Sequence, residues 1–294
     1  MKLSDQEFRD LRLLIQRLCG IWLGDDKKYL IQSRLEPVLH RKKLHSYAEL
    51  ATKAADAQGA LLQTDIVEAI TTNETSFNRD GHPFEEFRKA ILPLLIQTRA
   101  ERQRTASLPF GKIRIWSAAA STGQEAYSLA IAILEFIKTQ PRSGSDRFLV
   151  GPENFQILGT DISAEALRVA KAGQYNARDL DRGLDAESKR LYFVESNGRF
   201  EAVPPLKNMV EFQRLNLAQP MTDMSCFDVI LCRNLLIYFD ESTRRCVLEQ
   251  LCARLSPGGI LMLGAAESAT ALPKGVEQVQ MGKTIVYRKS HVLC

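Results

Sequence analysis

Polar side chains that suit ligand binding follow apolar runs that predict β-strands. They are Glu125, a few residues after the run 112–118, Asp161 after the run 155–159, and Asn216 with Leu217 after the run 210–213. In an open parallel sheet, ligands bind outside the carboxyl ends of the strands. We therefore expect these side chains to converge on one site, where carboxylates accept hydrogen bonds from charged donors or hydroxyl groups.

The turn before Glu125 indicates which cofactor fits. Residues 117–123 are small and include Ala119, so a ligand can approach the backbone closely. They lack the G-x-G-x-x-G pattern with which dinucleotide enzymes admit a pyrophosphate. S-adenosylmethionine has no phosphate, and its ammonium and sulfonium charges suit a carboxylate here, so it is the predicted cofactor. The alternative is that Glu125 only complements the dipole of the helix that it begins.

The other candidates have more specific expected partners. Asp161 is predicted to accept hydrogen bonds from both ribose hydroxyls of the cofactor. Its alternative role is to cap the next helix, for which Ser163 competes. Asn216 and Leu217 suit the edge and the face of an adenine, although asparagine after a strand commonly serves turn chemistry alone. Tyr238, considered by itself, is expected in the core.

From residue 111 onward, strands alternate with helices, which predicts an α/β domain with a doubly wound parallel sheet. The predicted strands are 112–118, 155–159, 210–213, 227–232 and 260–263, with helices at 125–138 and 164–172. Runs at 276–280 and 284–288 predict a terminal hairpin that gives the sheet an antiparallel edge. Asn197-Gly198, within residues 175–206, predicts a small β-hairpin insertion.

The N-terminal third is predicted to be an α-helical domain. Ser4 and Glu7 form a capping-box pattern before an apolar helical face, and Ser46 with Glu49 repeats it. Helices are also expected at 27–43 and 65–70. Pro37 lies inside the former, where proline typically costs about 3 kcal/mol, so that helix is expected to be kinked or broken there.

Positive charge is concentrated in this helical part. The chain has a formal charge of +4, and residues 1–45 contain ten Lys and Arg against six Asp and Glu, which is the same excess. Lys27, Arg34 and Arg41 recur at seven-residue spacing and form a basic stripe that is expected to face solvent. The stripe predicts an acidic partner surface, and the excess is too small for a dedicated nucleic-acid binder. A merely solvated helix face is the alternative.

Composition excludes several other classes. The longest apolar stretch, 127–137, is too short to span a bilayer and contains Glu135, so no membrane insertion is expected. The first residues lack a signal region, which predicts a cytoplasmic protein. The six cysteines form no C-x-x-C pair and the histidines lack ligand spacing. We expect buried reduced thiols and no metal site.

Five motifs together resemble one family. They are residues 73–80 (NETSFNRD), 115–128 (IWSAAASTGQEAYS), 159–163 (GTDIS), 227–240 (FDVILCRNLLIYFD), and Pro-Gly-Gly at 257–259 before Glu-Ser at 267–268. In this order they resemble the bacterial chemotaxis-receptor methyltransferases, the CheR family. The resemblance spans nearly the whole chain, and the first and fourth motifs are specific to that family.

The resemblance implies a set of functional residues. The cofactor-binding residues would be Asn73, Thr75, Arg79, Ala119, Glu125, Asp161, Asn216, Leu217, Arg233 and Asn234. Arg79 and Tyr238 would flank the methyl group that is transferred. The implied domains are a receptor-docking helical domain at 1–72, a linker at 73–110 that contributes to the active site, and a methyltransferase domain at 111–294 with the β insertion at about 176–208.

The resemblance also implies the reaction and the partners. The enzyme would transfer a methyl group from S-adenosylmethionine to glutamate side chains in the cytoplasmic helical region of chemotaxis receptors, giving methyl esters and S-adenosylhomocysteine. The basic stripe would dock on those acidic helices, and the enzyme would act as a monomer. Some members bind a receptor tail peptide on the hairpin, near a glycine-rich loop. Here that turn has only Gly198, so no dependence on such a tether is expected.

The sequence departs from the usual pattern of the family at three positions. Asn78 stands where an aromatic is common, Ala120 where cysteine is frequent, and Ala126 where proline is usual; none removes an implied contact.

The alternative functions are a methyltransferase for small molecules or nucleic acid, a nicotinamide oxidoreductase, and a non-catalytic receptor-binding adaptor. The motif 73–80 argues against the other methyltransferases. The missing glycine fingerprint argues against the oxidoreductase, and the retained candidate residues argue against the adaptor. Arg79 alone has a further alternative as a surface ion-pair residue.

Overall fold

The computed structural model describes residues 2–56, 58–106, 111–140, 150–269 and 272–290. The end of the predicted linker, 107–110, and the chain end with Cys294 lie outside these ranges. Among the described residues, none of the helices combines the length and the apolar character that crossing a membrane requires.

Four helices form the helical domain, as predicted. They are α1 (Asp5–Cys19), α2 (Lys28–Lys42), α3 (Tyr47–Ala55) and α4 (Ala60–Ile70). The capping box of Ser4 and Glu7 is present at α1, and Ser46 caps α3. Apolar side chains at helical spacing, such as Leu11, Ile15 and Ile31, form a core of their own. A core of its own is what a separate domain requires.

Helix α2 runs unbroken through Pro37. The ring leaves the Ser33 carbonyl without its helical partner. Both Pro37 and Ser33 are exposed, so water can satisfy that carbonyl. The helix is therefore not split in two.

The predicted linker contains helices that the sequence prediction did not name. Helix α5 (His82–Glu86), a π-helix (Phe87–Ile91) and α6 (Leu92–Ala106) form one helical run. Phe87, Ile91 and Leu92 are fully buried in the core of the α/β domain. Among the described residues 73–106, the interdomain segment, residues 73–80, forms no helix or strand.

The main sheet has seven strands in the order β6-β2-β1-β7-β8-β10-β9. Their bounds are β1 (Ile113–Ser117), β2 (Phe155–Asp161), β6 (Val210–Arg214), β7 (Phe227–Cys232), β8 (Leu255–Leu263), β9 (Val276–Met281) and β10 (Thr284–Lys289). The first five in spatial order are parallel, and β10 and β9 form the predicted antiparallel edge. The strand order reverses between β1 and β7, which is where such a sheet binds ligands.

Helices cover the sheet between its strands. Helix α7 (Gln124–Thr139) follows β1, α8 (Ala164–Ala172) follows β2, and α12 (Glu241–Ala253) precedes β8. Strand β8 begins at Leu255 rather than at Ile260 as predicted. Leu255 already pairs with Phe227, and the register shifts before Ile260 pairs with Val229.

The predicted insertion is a second, three-stranded sheet in the order β3-β5-β4. It comprises β3 (Gln174–Tyr175), β4 (Phe193–Ser196) and β5 (Arg199–Ala202), with short helices α9 (Ala177–Asp181), α10 (Ala186–Tyr192) and α11 (Pro204–Lys207). Asn197 and Gly198 both have positive φ, as the tightest hairpin turns require. Phe77 of the interdomain segment packs edge-to-face against Tyr175 and Phe193.

The cysteines only partly match the expectation of buried thiols. All five that the structure describes are free, and Cys19, Cys232 and Cys252 are buried. Cys226 and Cys246 are exposed, so the expectation was wrong for these two. Burial raises the pKa of Cys19 and of Cys252 to about 11, which leaves both thiols protonated and unreactive at neutral pH.

Candidate active site

A cleft lies between the carboxyl ends of the parallel strands and the helical domain. Its polar lining contains Asn73, Glu74, Thr75, Arg79, Ser121, Glu125, Asp161, Arg233, Asn234 and Tyr238, with Ala119 beside them. A side pocket shares Ala119 and Asp161 with the cleft and contains Asn216 and Leu217. The structure thus brings together the residues that were predicted from the ends of separate strands.

Glu125 is fixed at the start of α7, directly above β1. Its Oε1 accepts a hydrogen bond from Ser117 Oγ at 2.8 Å, and its Oε2 lies 3.0 Å from Arg233 Nη1. Gly123 has a φ of 95°, and a Cβ there would lie 2.9 Å from Ala170 Cβ, so the turn requires glycine. The side chain of Glu125 therefore faces the cleft and does more than complement the helix dipole.

Arg233 connects the end of β7 to the interdomain segment. Besides Glu125, its guanidinium donates to the Arg79 carbonyl at 2.8 Å and to Asp80 Oδ2 at 2.7 Å, and it stacks over the Phe84 ring. Its side chain is 1% exposed, and Nε is buried without a partner among the described residues. One cation between two carboxylates leaves a net negative charge, while Nε–H remains able to donate to an anion.

Asp161, at the end of β2, accepts hydrogen bonds from two backbone N–H groups. Ser121 N lies 2.8 Å from Oδ2, and Ser163 N lies 2.9 Å from Oδ1. Ser163 itself caps α8, so the alternative role of Asp161 as the helix cap does not hold. Desolvation raises the pKa of Asp161, and the two N–H groups oppose that rise.

The interdomain segment places Asn73, Thr75 and Arg79 in the cleft. The Asn73 carbonyl accepts from Ser121 Oγ at 2.9 Å, and Arg79 Nη1 donates to the Glu74 carbonyl at 3.0 Å. Four of the six non-glycine residues with positive φ in the described ranges lie in or next to the cleft: Asn78, Asp80, Ser121 and Asn234. Such backbone strain is costly and concentrates at functional sites.

Tyr238 lies in a 3₁₀ turn (Leu236–Tyr238) and is half-buried at the cleft, rather than in the core of the sheet domain. Its carbonyl accepts from Trp22 N at 2.8 Å, and Ile21 forms a β-bridge with Phe239. Within the described part of the chain, its hydroxyl has no hydrogen-bond partner. That hydroxyl is free to contact a substrate.

Sequence reasoning gave no role to Glu267, which holds the loop after β7. Its carboxylate accepts from three backbone N–H groups, those of Asn234, Leu236 and Gly264, each at 2.7 Å. Charge-assisted bonds of this kind are short and strong. Asn234, in left-handed conformation at the cleft, therefore owes its position to Glu267.

Asn216 and Leu217 lie in the side pocket, but the Asn216 amide is bound to protein groups. Its Nδ2 donates to the Leu18 carbonyl at 2.8 Å, and its Oδ1 accepts from Ala218 N at 3.1 Å. The amide therefore connects α1 to the sheet domain. One N–H and one lone pair remain for the adenine contact that the sequence suggested.

Comparisons with known proteins agree with this architecture. The all-alpha domain model of CheR methyltransferases matches residues 6–71, and the SAM-binding domain model of the same family matches residues 73–285. Chemotaxis protein methyltransferase 1 of Pseudomonas aeruginosa is 37% identical over 292 residues, which are 98% of this chain and 99% of that protein. The protein of the same name from Vibrio cholerae is 38% identical over 287 residues, 97% of this chain and 98% of its own length.

The chain belongs to the CheR methyltransferase family. It is an S-adenosylmethionine-dependent methyltransferase, and the predictions of family, fold class and cofactor are confirmed.

The residues of this CheR protein fit that cofactor. The net negative charge around Glu125 suits the ammonium and sulfonium groups, and the partnerless Nε–H of Arg233 suits a carboxylate. Asp161 presents carboxylate oxygens beside the side pocket, where ribose hydroxyls can donate to them.

The basic stripe is not uniformly exposed, and the prediction was wrong for Arg34. Its guanidinium donates to the carbonyls of Ala69 and Thr71, at 3.2 Å and 2.8 Å, and to Thr72 Oγ1 at 3.1 Å. It therefore fixes the end of α4 and the start of the interdomain segment instead of facing solvent. By contrast, the side chains of Lys27 and Arg41 are 45% and 59% exposed.

The helical domain of this CheR protein supplies an entire wall of the cleft that the sequence did not predict. That wall consists of Ile21, Leu23, Leu30, Ile70, Thr71 and Thr72. Apolar residues ordinarily predict a core, so no local signal distinguishes those that face a ligand.

Proposed function

We propose that this CheR protein methylates glutamate side chains in the cytoplasmic helical region of chemotaxis receptors. The names of its relatives support a role in chemotaxis. A receptor substrate of that kind would place the enzyme in the cytoplasm. We propose separately that the enzyme acts as a monomer. The docking part would be the helical domain, residues 1–72, joined through residues 73–110 to the methyltransferase domain, 111–294, whose insertion spans about 176–208.

The proposal of a glutamate acceptor rests on the absence of a general base among the described residues that line the cleft. In the part of the chain that the structure describes, no histidine, lysine or cysteine lines the cleft. Of its three carboxylates, Glu125 and Asp161 are already hydrogen-bonded, and Glu74 pairs with Arg182. A hydroxyl or amine acceptor would have to lose a proton, for which enzymes position a base. A glutamate acceptor is ionised at neutral pH and needs none. The lining therefore favours a carboxylate nucleophile.

Arg79 and Tyr238 would orient that carboxylate. Arg79 donates to a backbone carbonyl and to no carboxylate among the described residues, so its remaining N–H groups can hold one acceptor oxygen. The Tyr238 hydroxyl can hold the other. When bound, S-adenosylmethionine supplies an electrophilic methyl group on its sulfonium.

Catalysis by this chain would then rest on alignment and exclusion of water. The apolar wall formed by the helical domain keeps water from the reacting centre. Aligned reactants can reach effective molarities of about 10⁵ M, which is worth roughly 7 kcal/mol of the barrier. Full ion pairing of Arg79 would blunt the nucleophile, so its role is to position the acceptor.

Receptor docking would use the exposed members of the basic stripe, Lys27 and Arg41. Each now pairs with an acid at the surface, Asp26 and Asp65 respectively, and such pairs are weak enough to exchange for receptor carboxylates. The β4 edge of the insertion exposes Val194, but its turn holds only Gly198. We propose that no receptor tail peptide is required. Titration with a receptor tail peptide would contradict this if binding were tight.

The function is tested by incubating the purified enzyme with a receptor cytoplasmic fragment and S-adenosylmethionine labelled in its methyl group. We expect label on the fragment that mild alkali releases as methanol, which is the behaviour of a carboxyl ester. Replacing the acceptor glutamates with alanine should remove the label. Label that resists alkali would identify a different acceptor chemistry.

Arg79→Ala separates positioning of the acceptor from binding of the cofactor. We expect turnover to fall by about 100-fold, because small misplacements of reactants cost that much. The dissociation constant for S-adenosylhomocysteine, measured by calorimetry, should change far less. Equal losses in both quantities would contradict the assigned role.

A further inference from the structure

A carboxylate of the helical domain is bound at the N-terminus of a helix in the sheet domain. Glu68, on α4, accepts from Ala164 N at 2.6 Å and from Glu165 N at 3.3 Å, through Oε1. Its Oε2 accepts from Ser163 Oγ at 2.5 Å. Unpaired N–H groups and the helix dipole both favour a negative charge here.

Ser163 is saturated by these contacts. Its hydroxyl donates to Glu68 and accepts from Ala166 N at 3.0 Å and from Asn73 Nδ2 at 3.4 Å. A hydroxyl has one donor and two acceptor positions, so none remains free. Its backbone N–H donates to Asp161 Oδ1 at 2.9 Å. Ser163, which is fully buried, thus has a single possible placement.

The contacts of Ser163 close a ring of hydrogen bonds around Asp161. From Ser163 the ring passes to Asn73, then from the Asn73 carbonyl to Ser121 Oγ, and from Ser121 N back to Asp161 Oδ2 at 2.8 Å. Glu68 is not a member of the ring and contacts it by accepting a hydrogen bond from Ser163 Oγ. The ring leaves Asp161 little freedom, because both of its oxygens are bound by members whose own positions are fixed.

We propose that Glu68 is a positioning residue for cofactor binding, which orients Asp161 through Ser163 and so makes cofactor affinity depend on the helical domain. The residue does not line the cleft or touch the reacting atoms. Its effect concerns the cofactor and is independent of which acceptor is methylated.

Glu68→Ala tests this proposal by calorimetric titration with S-adenosylhomocysteine. We expect the dissociation constant to rise about tenfold, because cofactor binding would then have to supply the free energy that a helix cap typically contributes. The KM for S-adenosylmethionine should rise in parallel, while turnover at saturating cofactor stays within about twofold, since Asp161 recovers its position once the cofactor is bound. In the cofactor-free protein, the Ala164 amide should exchange its hydrogen faster.

Asp185→Ala is the matched control. Asp185 caps α10 in the insertion, where it accepts from Ser188 N at 2.7 Å and does not line the cleft. This change also removes a carboxylate from the N-terminus of a helix, and it should leave S-adenosylhomocysteine affinity unchanged. Glu68→Gln keeps one acceptor oxygen for Ala164 N, so it should restore part of the affinity that Glu68→Ala loses.

Two results would overturn the proposal. One is wild-type affinity in folded Glu68→Ala; the other is an equal loss of affinity in Asp185→Ala, which would make the effect general destabilisation. If Glu68→Ala does not fold, Glu68→Gln decides alone. A threefold weaker affinity with an unchanged melting temperature supports the proposal, and an unchanged affinity contradicts it.

Discussion

The two walls of the cleft are built from different chemistry. The sheet wall presents buried polar groups, chiefly Glu125, Asp161 and Arg233, whose hydrogen bonds are made largely within the sheet domain and the interdomain segment. The helical wall presents Ile21, Leu23 and other apolar side chains. The difference indicates a division of labour, in which the sheet wall recognises the cofactor and the helical wall excludes water.

The walls also differ in how they are held. The sheet wall follows from strand order, because parallel strands end at one edge. The helical wall is held in place by a few bonds that cross between domains, such as Asn216 to Leu18 and Trp22 to Tyr238. Changes to the buried charges of the sheet wall should therefore affect the stability of the fold as well as cofactor binding, whereas changes on the helical side should affect cofactor affinity with less effect on stability.

Arg233→Met should have the largest effect, on the sheet wall. It leaves Glu125, whose side chain is 10% exposed, as a buried charge without its cation. Breaking a buried ion pair typically costs about 3–5 kcal/mol of unfolding free energy. Urea denaturation measures this loss, and the double variant with Glu125→Leu should recover much of it. A single variant within about 1 kcal/mol of wild type would show that the pair is not a structural requirement.

Arg34→Ala should have a smaller effect, on the helical side. It releases the Ala69 and Thr71 carbonyls and so loosens the edge of the cleft. We expect S-adenosylhomocysteine to bind about tenfold more weakly, since bonds to charged donors are worth about 1.5–3 kcal/mol. Arg41→Ala, on the same helix but exposed, should leave that affinity unchanged. Equal effects of the two changes would remove the distinction between the two positions.

Sequence could predict the sheet wall because strand ends are visible as breaks in apolar runs. Glu125, Asp161 and Arg233 were found that way or through motifs, and the parallel direction of the strands followed from their alternation with helices. The helical wall was not predictable, since Ile21 and Leu23 look like any core residues. The feature that distinguishes Ile21 from a core residue is its β-bridge to Phe239, more than 200 residues away in the chain.

The missed polar residues were hidden for a related reason. Glu68 binds the backbone of Ala164, 96 residues away, and backbone N–H groups leave no pattern in side-chain identity. Glu267 is missed for the same reason, although its partners are closer. Arg34 was misplaced because heptad spacing specifies a helix face but not what covers that face. The helices after residue 82 were passed over when the segment was treated as a linker.

Lowering the pH should weaken cofactor binding because it protonates Asp161. We expect this to be the smallest of the predicted effects. Desolvation raises the pKa of Asp161, and the charge of Glu68 adds to the rise. Ribose hydroxyls that donate to the carboxylate favour its ionised form, so the pKa is lower in the complex than in the free enzyme. Affinity is thus full above the raised pKa and falls as the pH drops through it.

Calorimetry with S-adenosylhomocysteine between pH 7.5 and 5.5 measures this effect. We expect the dissociation constant to rise as the pH is lowered. Asp161→Asn should bind more weakly and lose the pH dependence over this range. A wild-type affinity that does not change, or that rises in acid, would contradict the ribose role of Asp161.

The bonds that hold the helical wall also determine when the cleft can exist during synthesis. Leu18 and Asn216 are 198 residues apart, and Gln16 and Asp240, which are also hydrogen-bonded, are 224 apart. Chains grow at about 5–20 residues per second, so α1 waits roughly 10–40 s for these partners. During that interval Ile21 and Leu23 lack the loop that covers them. We therefore expect the nascent helical domain to expose this apolar surface until Phe239 and Asp240 have emerged.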